Sequence, residues 1–205
     1  MNLVENYLRL NGYLTLSEFE VQRRVPGGGY ETITDVDIMA LRLPGDVGTG
    51  PREADDDRLL LITDPVLELH DDLIDVIIGE VKQGEAEWNP GIRSREVLHS
   101  MLRRVGWLYG EPRDPVIADL QEHGIHMSPA RGGGEIRTRL VAFGRSPHSN
   151  LHVISHTHIV QTITRFFDEM SDALRPVQFR DPAPAMLALL HKTGFEIRKD
   201  HHREE

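Results

Sequence analysis

Glu80 and Lys82 stand two residues apart at the end of an apolar run, Ile74-Asp75-Val76-Ile77-Ile78-Gly79-Glu80-Val81-Lys82. On a strand, residues two apart share a face, so the carboxylate and the ammonium would project side by side at the strand exit. The chain has only three lysines, Lys82, Lys192 and Lys199, among 23 basic residues. Where arginine is the default cation, a lysine here points to a need for a compact ammonium rather than a planar guanidinium. Upstream, Thr34-Asp35-Val36-Asp37-Ile38-Met39-Ala40 is a second strand that carries acids, and Glu5 lies in a predicted N-terminal helix. Convergence of Glu5, Asp37 or Asp35, Glu80 and Lys82 at one sheet edge would place hard carboxylate oxygens, suited to Mg²⁺ or Mn²⁺, beside a cation. Such a group polarises a phosphate, positions an attacking water and offsets charge on the leaving oxygen, which is the equipment of phosphodiester hydrolysis.

The tripeptide by itself is weakly specific. Three lysines and 33 acids in 205 residues give roughly half an expected Glu/Asp-x-Lys by composition alone. Specificity comes from context: an apolar strand leads in, an acid-bearing strand precedes it, and an arginine-bearing amphipathic helix follows.

Those residues must be positioned by regular elements. Leu3, Val4, Tyr7, Leu8 and Leu10 recur at helical spacing before Asn11-Gly12, which predicts a helix over 2–11. Residues 13–22 read as a strand that turns at Pro26-Gly27-Gly28-Gly29 into a second strand over 33–43, with Asp35 and Asp37 on one face and Val36, Ile38 and Ala40 on the other. Residues 44–57 form a Gly, Pro and Asp loop, followed at 59–62 by a short strand or helical turn; the whole of 44–73 reads as an insertion. After the strand over 74–82, Val97, Leu98, Met101, Leu102 and Val105 mark one face of a helix over 93–106, whose other face bears Arg95, Arg103 and Arg104. Residues 111–135 read as a long connection with one short helix at 116–122. A strand over 136–143, a shorter one at 152–154, and helices over 159–170 and 183–191 complete the chain before a polar tail. The order αβββαβ(β)αα mixes hairpins with crossovers and predicts an α/β sandwich around a mixed sheet, as a single domain with an extra C-terminal helical portion over 156–205.

Composition narrows the chemistry. The absence of cysteine removes disulfides, thiolate metal sites and cysteine nucleophiles, so any metal is held by O or N ligands. A net charge of −10 argues against a uniformly basic nucleic-acid coat but permits a local basic groove. The arginines at 23–24, 93–95, 103–104 and 137–139 read first as solvated faces. The N-terminus has no basic segment followed by a long apolar run, and no stretch approaches a membrane span, so a cytoplasmic protein without membrane contact is expected. His152, His156 and His158 lack the spacing of H-E-x-x-H and read as structural, Gly27–Gly29 and Gly132–Gly134 lack a Walker Lys-Ser/Thr and read as turns, and no G-x-S-x-G marks a serine hydrolase.

Over residues 2–108 the sequence resembles the PD-(D/E)xK nuclease superfamily, the restriction-endonuclease-like fold, nearest to Mrr-type restriction enzymes and Holliday-junction resolvases. The resemblance rests on Val4-Glu5-Asn6-Tyr7 through Asn11-Gly12-Tyr13, on the Gly-rich hairpin before Thr34-Asp35-Val36-Asp37-Ile38, and on Gly79-Glu80-Val81-Lys82. It implies an αβββαβ nuclease core within residues 2–155, metal binding by Asp37 and Glu80, a catalytic Lys82 and an auxiliary acid at Glu5, with Asp35 and Gln83 as further auxiliary candidates. It implies Mg²⁺-dependent cleavage of DNA in preference to RNA, phosphate contacts from Arg23, Arg24, Arg95, Arg103 and Arg104, and a homodimer. No proline precedes the strand acid, so choosing Asp37 over Asp35 rests on the apolar continuation Ile38-Met39-Ala40. The alternative readings are a nuclease-like domain that binds nucleic acid or a protein partner without cutting, and an unrelated α/β binding protein.

Overall fold

Alternating apolar residues build a mixed sheet whose two faces are each covered by helices. A computed structural model describes residues 2–45, 62–175 and 177–195. Helix α1 (Asn2–Leu10) leads into strands β1 (Leu14–Arg24), β2 (Tyr30–Arg42) and β3 (Leu73–Glu85); helices α2 (Arg95–Val105) and α3 (Arg113–Glu122) follow, then β4 (Ile125–Pro129), β5 (Glu135–Arg145), β6 (Val153–Ser155) and helices α4 (His156–Glu169), α5 (Ser171–Leu174) and α6 (Pro182–Lys192). The strand order is β1-β2-β3-β5-β4, with β6 also on β5. Strands β1, β2 and β3 form an antiparallel meander, β5 runs parallel to β3, and β4 returns antiparallel along β5. The β1–β2 connection is a glycine turn in which Gly27, Gly28 and Gly29 all take positive φ, at 95°, 96° and 98°.

Strand β3 shows how the layers are made. Val76 and Ile78 enter one core with Val97, Leu98, Met101 and Leu102 of α2 and Val116, Ile117 and Leu120 of α3. Ile77 faces the other side, with Tyr7 and Leu8 of α1 and Ile159, Ile163 and Phe166 of α4. This is the period of two expected of a strand buried on both faces. Gly79 is required where β3 crosses between neighbours: a Cβ there would lie 2.6 Å from Ile38 Cγ2 and 2.9 Å from the Phe143 ring.

Several expectations need correction. Strict alternation along β2 breaks beside Asp37, since Val36 joins the α2 core while Ile38 and Ala40 join the α1 core. The interruption lies opposite Glu18 of β1, which takes a left-handed φ of 54° between the pairs Ser17–Ile38 and Phe19–Val36. The connection over 111–135 holds a longer helix, α3, and the strand β4. Arg137 and Arg139 are buried, not solvated: together with Tyr13 they surround Asp75, with Arg139 Nη2 at 2.7 Å and Arg137 Nε at 3.0 Å from its carboxylate. Burial opposes ionisation of Asp75, but the Arg139 charge and the hydrogen bonds from both guanidiniums outweigh it and hold the carboxyl below the usual range. Helix α4 begins at His156, earlier than predicted, because Ser155 caps it by accepting the His158 N–H at 3.1 Å. Residues 59–61 of the element expected at 59–62, most of the loop over 44–57 and the polar tail beyond 195 lie outside the described residues, and Ile62 itself is in no helix or strand. No helix among the described residues is long and apolar enough to cross a membrane.

Candidate active site

Pairing between β2 and β3 reaches Ile38–Gly79 and extends no further toward the end of β3. Beyond it, the Asp37 carboxylate takes the place of a backbone partner and accepts the Val81 N–H at 2.6 Å. Glu80 and Lys82 flank that amide. They continue the row of Val76 and Ile78, so both lie on the α2 side of the sheet. The Lys82 ammonium donates to Glu80 Oε1, while Glu80 Oε2 is buried with no hydrogen-bond partner among the described residues.

The electrostatics follow from this crowding. Burial pushes the Glu80 carboxyl up from its ordinary value and the Asp37 charge adds to the rise, with Lys82 offsetting part of it. The hydrogen bond to Glu80, reinforced by the charges of Glu80, Asp37 and Glu87, moves the Lys82 ammonium upward against a smaller burial effect. Lys82 is therefore protonated at neutral pH. Glu87, just past the end of β3, is a contributor that the sequence did not single out.

The other candidates lie elsewhere. Glu5 is buried, but its Oε1 is taken up by Arg9 at 3.1 Å and Ser17 at 2.9 Å. Ser17 pairs with Ile38, which faces the α1 core, so Glu5 does not join Asp37 and Glu80. Asp35 is exposed and paired with Glu20 across the β1–β2 hairpin, and Gln83 is exposed. Arg23 is bound by Glu31 and lies 3.6 Å from Glu96, Arg95 is 2.7 Å from Asp114, and Arg104 lies over the Phe19 ring at 4.6 Å. Arg24 is exposed at the end of β1, and Arg103 lines a separate cavity. His158 is held by Asp64 at 2.6 Å, and His152 lies edge-on to Trp88. Among the described residues no three His, Asp or Glu side chains converge as a metal-holding group.

Two carboxylates with one orphaned oxygen nonetheless form a donor set that suits a hard cation. Mg²⁺ is commonly held by one or two carboxylates, with water and substrate phosphate completing its shell. Asp37 and Glu80 would be those ligands, and a divalent charge would offset the burial and the Asp37 charge that raise Glu80. No protein-family model, curated protein or solved structure matches this chain.

Proposed function

We propose that this protein is a metal-dependent nuclease that hydrolyses phosphodiester bonds, in DNA in preference to RNA. One observation supports the reading: where β2 parts from β3, Asp37 accepts the Val81 N–H between Glu80 and Lys82, and a buried Glu80 oxygen is left without a donor among the described residues. The order α1-β1-β2-β3-α2-β5, with β5 parallel to β3 and α3–β4 added before it, supports reading the fold as restriction-endonuclease-like. A bound Mg²⁺ or Mn²⁺ would polarise the scissile phosphate and stabilise charge on the leaving oxygen. Asp37 and Glu80 would supply the carboxylates that hold the ion, Asp37 being fixed by the Val81 amide. Lys82, as an ammonium, orients the attacking water and offsets phosphate charge. The same reading places the enzyme in the cytoplasm, which accords with a cysteine-free chain, and favours a homodimer, since two strands require two cuts.

The test is cleavage of single- and double-stranded DNA and RNA with Mg²⁺ or Mn²⁺, comparing wild type with Asp37→Ala and Lys82→Ala. Activity should fall by two orders of magnitude or more in both variants. Undiminished cleavage in both would remove the site assignment. Nucleic-acid binding with no cleavage under either metal would favour the second reading, a domain that binds without cutting; the lack of a third acidic ligand among the described residues is the observation on its side.

A further inference from the structure

We propose that the cavity at the C-terminal end of α2 binds a nucleotide, either free or as one unit of a single-stranded nucleic acid. The cavity is an open depression of about 630 Å³, within the roughly 300–1,000 Å³ range of small-molecule sites. Its walls come from separate parts of the chain: His99 and Arg103 from α2, Trp107 just beyond it, Arg113 from the first turn of α3, and Arg131 from the turn before β5.

The charges in this cavity are unbalanced. Two acids border it, but Glu111 is committed to His126 at 2.8 Å and Asp114 to Arg95 at 2.7 Å. Arg103, Arg113 and Arg131 have no carboxylate partner among the described residues. In a chain of net charge −10, three guanidiniums that line one space whose two acids are paired elsewhere leave a local excess of positive charge, and an anion with several oxygens would satisfy them. Gly106 makes room for one of them: a Cβ at that position would lie 3.3 Å from Arg113 Nη1.

Trp107 gives the ligand its second half. Its side chain is the largest exposed aromatic surface in the cavity, at 64% exposure, and an indole offers a face on which any base can stack. Phosphate oxygens beside guanidiniums and a flat ring on an indole together describe a nucleotide better than a bare anion or an apolar molecule.

This cavity is separate from the candidate active site. It adjoins Tyr109 and Ala130, which pair just ahead of β5. Strands β3 and β5 run parallel from Leu73–Glu135, so Glu80 lies about 20 Å further along the strand. The inference therefore does not rest on the nuclease reading.

The experiment is calorimetric titration, in EDTA, of the full chain with nucleoside 5′-monophosphates, with single-stranded DNA and RNA oligonucleotides, and with inorganic phosphate. Binding of a nucleotide or oligonucleotide should weaken tenfold or more in Trp107→Ala and in Arg131→Ala and survive in Trp107→Phe, with circular dichroism confirming each fold. Monophosphates binding as well as oligonucleotides identify a free nucleotide; affinity that grows with chain length and falls steeply with salt identifies a nucleic-acid strand. The proposal is overturned if neither probe binds, if Trp107→Ala and Arg131→Ala leave binding intact, or if inorganic phosphate binds as tightly as a nucleotide. It is overturned equally if Trp107→Ala instead abolishes a concentration-dependent self-association, which would make the patch a protein interface.

Discussion

Asp37 Oδ2 lies 2.6 Å from the Val81 nitrogen, so one carboxylate both completes the end of a strand and faces the Glu80–Lys82 pair. These duties separate on substitution. Asp37→Asn keeps an amide oxygen able to accept the Val81 N–H, whereas Asp37→Ala leaves that donor without it, at a cost of about 1–2 kcal/mol. Chemical denaturation should show Asn near wild type and Ala less stable, while both lose metal-dependent cleavage.

Glu80→Gln removes a charge that burial and Asp37 both disfavour. With a folded pKa above the ordinary glutamate value, the native state holds its proton longer than the unfolded chain. Stability is thus full below the ordinary value and declines as pH rises through the raised one. Melting temperature against pH should show this decline in wild type and not in Glu80→Gln. Mg²⁺ or Mn²⁺ should raise the melting temperature of wild type alone, as expected for a ligand that binds only the native state.

Replacing Asp75 by Asn leaves Arg137 and Arg139 buried without a counter-charge. Breaking a buried pair in this way costs about 3–5 kcal/mol. Because the folded pKa of Asp75 is depressed, its contribution is present above the ordinary aspartate value and is lost as pH falls through the depressed one. Urea titrations at neutral pH should show the full loss in Asp75→Asn, and the gap to wild type should narrow on acidification.

His126 bridges Asp119 at 2.6 Å and Glu111 at 2.8 Å, tying β4 to α3 and its leading loop. Burial opposes its charge, but the two carboxylates outweigh burial and raise its pKa. The stability gained is full below the unfolded histidine value, about 6.5, and disappears as pH rises through the folded value. Stability measured from pH 6 upward should fall in wild type and flatten in His126→Ala.

Gly79→Ala should destabilise the sheet next to the candidate site, since its methyl group would meet Ile38 and Phe143 at 2.6 and 2.9 Å. Overpacking of this kind costs about 1–3 kcal/mol. Chemical denaturation should show that loss, and any cleavage activity should fall with it, because the strain falls one residue before Glu80.

How much of this was legible in sequence depended on whether the deciding partner was local. Glu80 and Lys82 could be read because strand periodicity sets them side by side on β3, whereas Asp37 reaches the Val81 amide between them at a break in the alternation of β2. Glu5 was misplaced because a helical acid can turn to either neighbour, and here Arg9 and Ser17 take it. Arg137 and Arg139 looked like surface charge because the acid that buries them is Asp75, 62 and 64 residues away in sequence. Yet Asp75 itself carried a signal: an acid inside an apolar run needs a buried partner. Strand β4 was hidden because its five residues end in proline and alternate poorly.

The Asp75 cluster also discriminates between strand registers. Asp75 is registered directly opposite Arg137 across the parallel β3–β5 ladder. A slip of one residue would send both guanidiniums to the other face of the sheet. A one-residue misalignment of β5 therefore strands buried charge, so the cluster favours the native β3–β5 register over its nearest competitor.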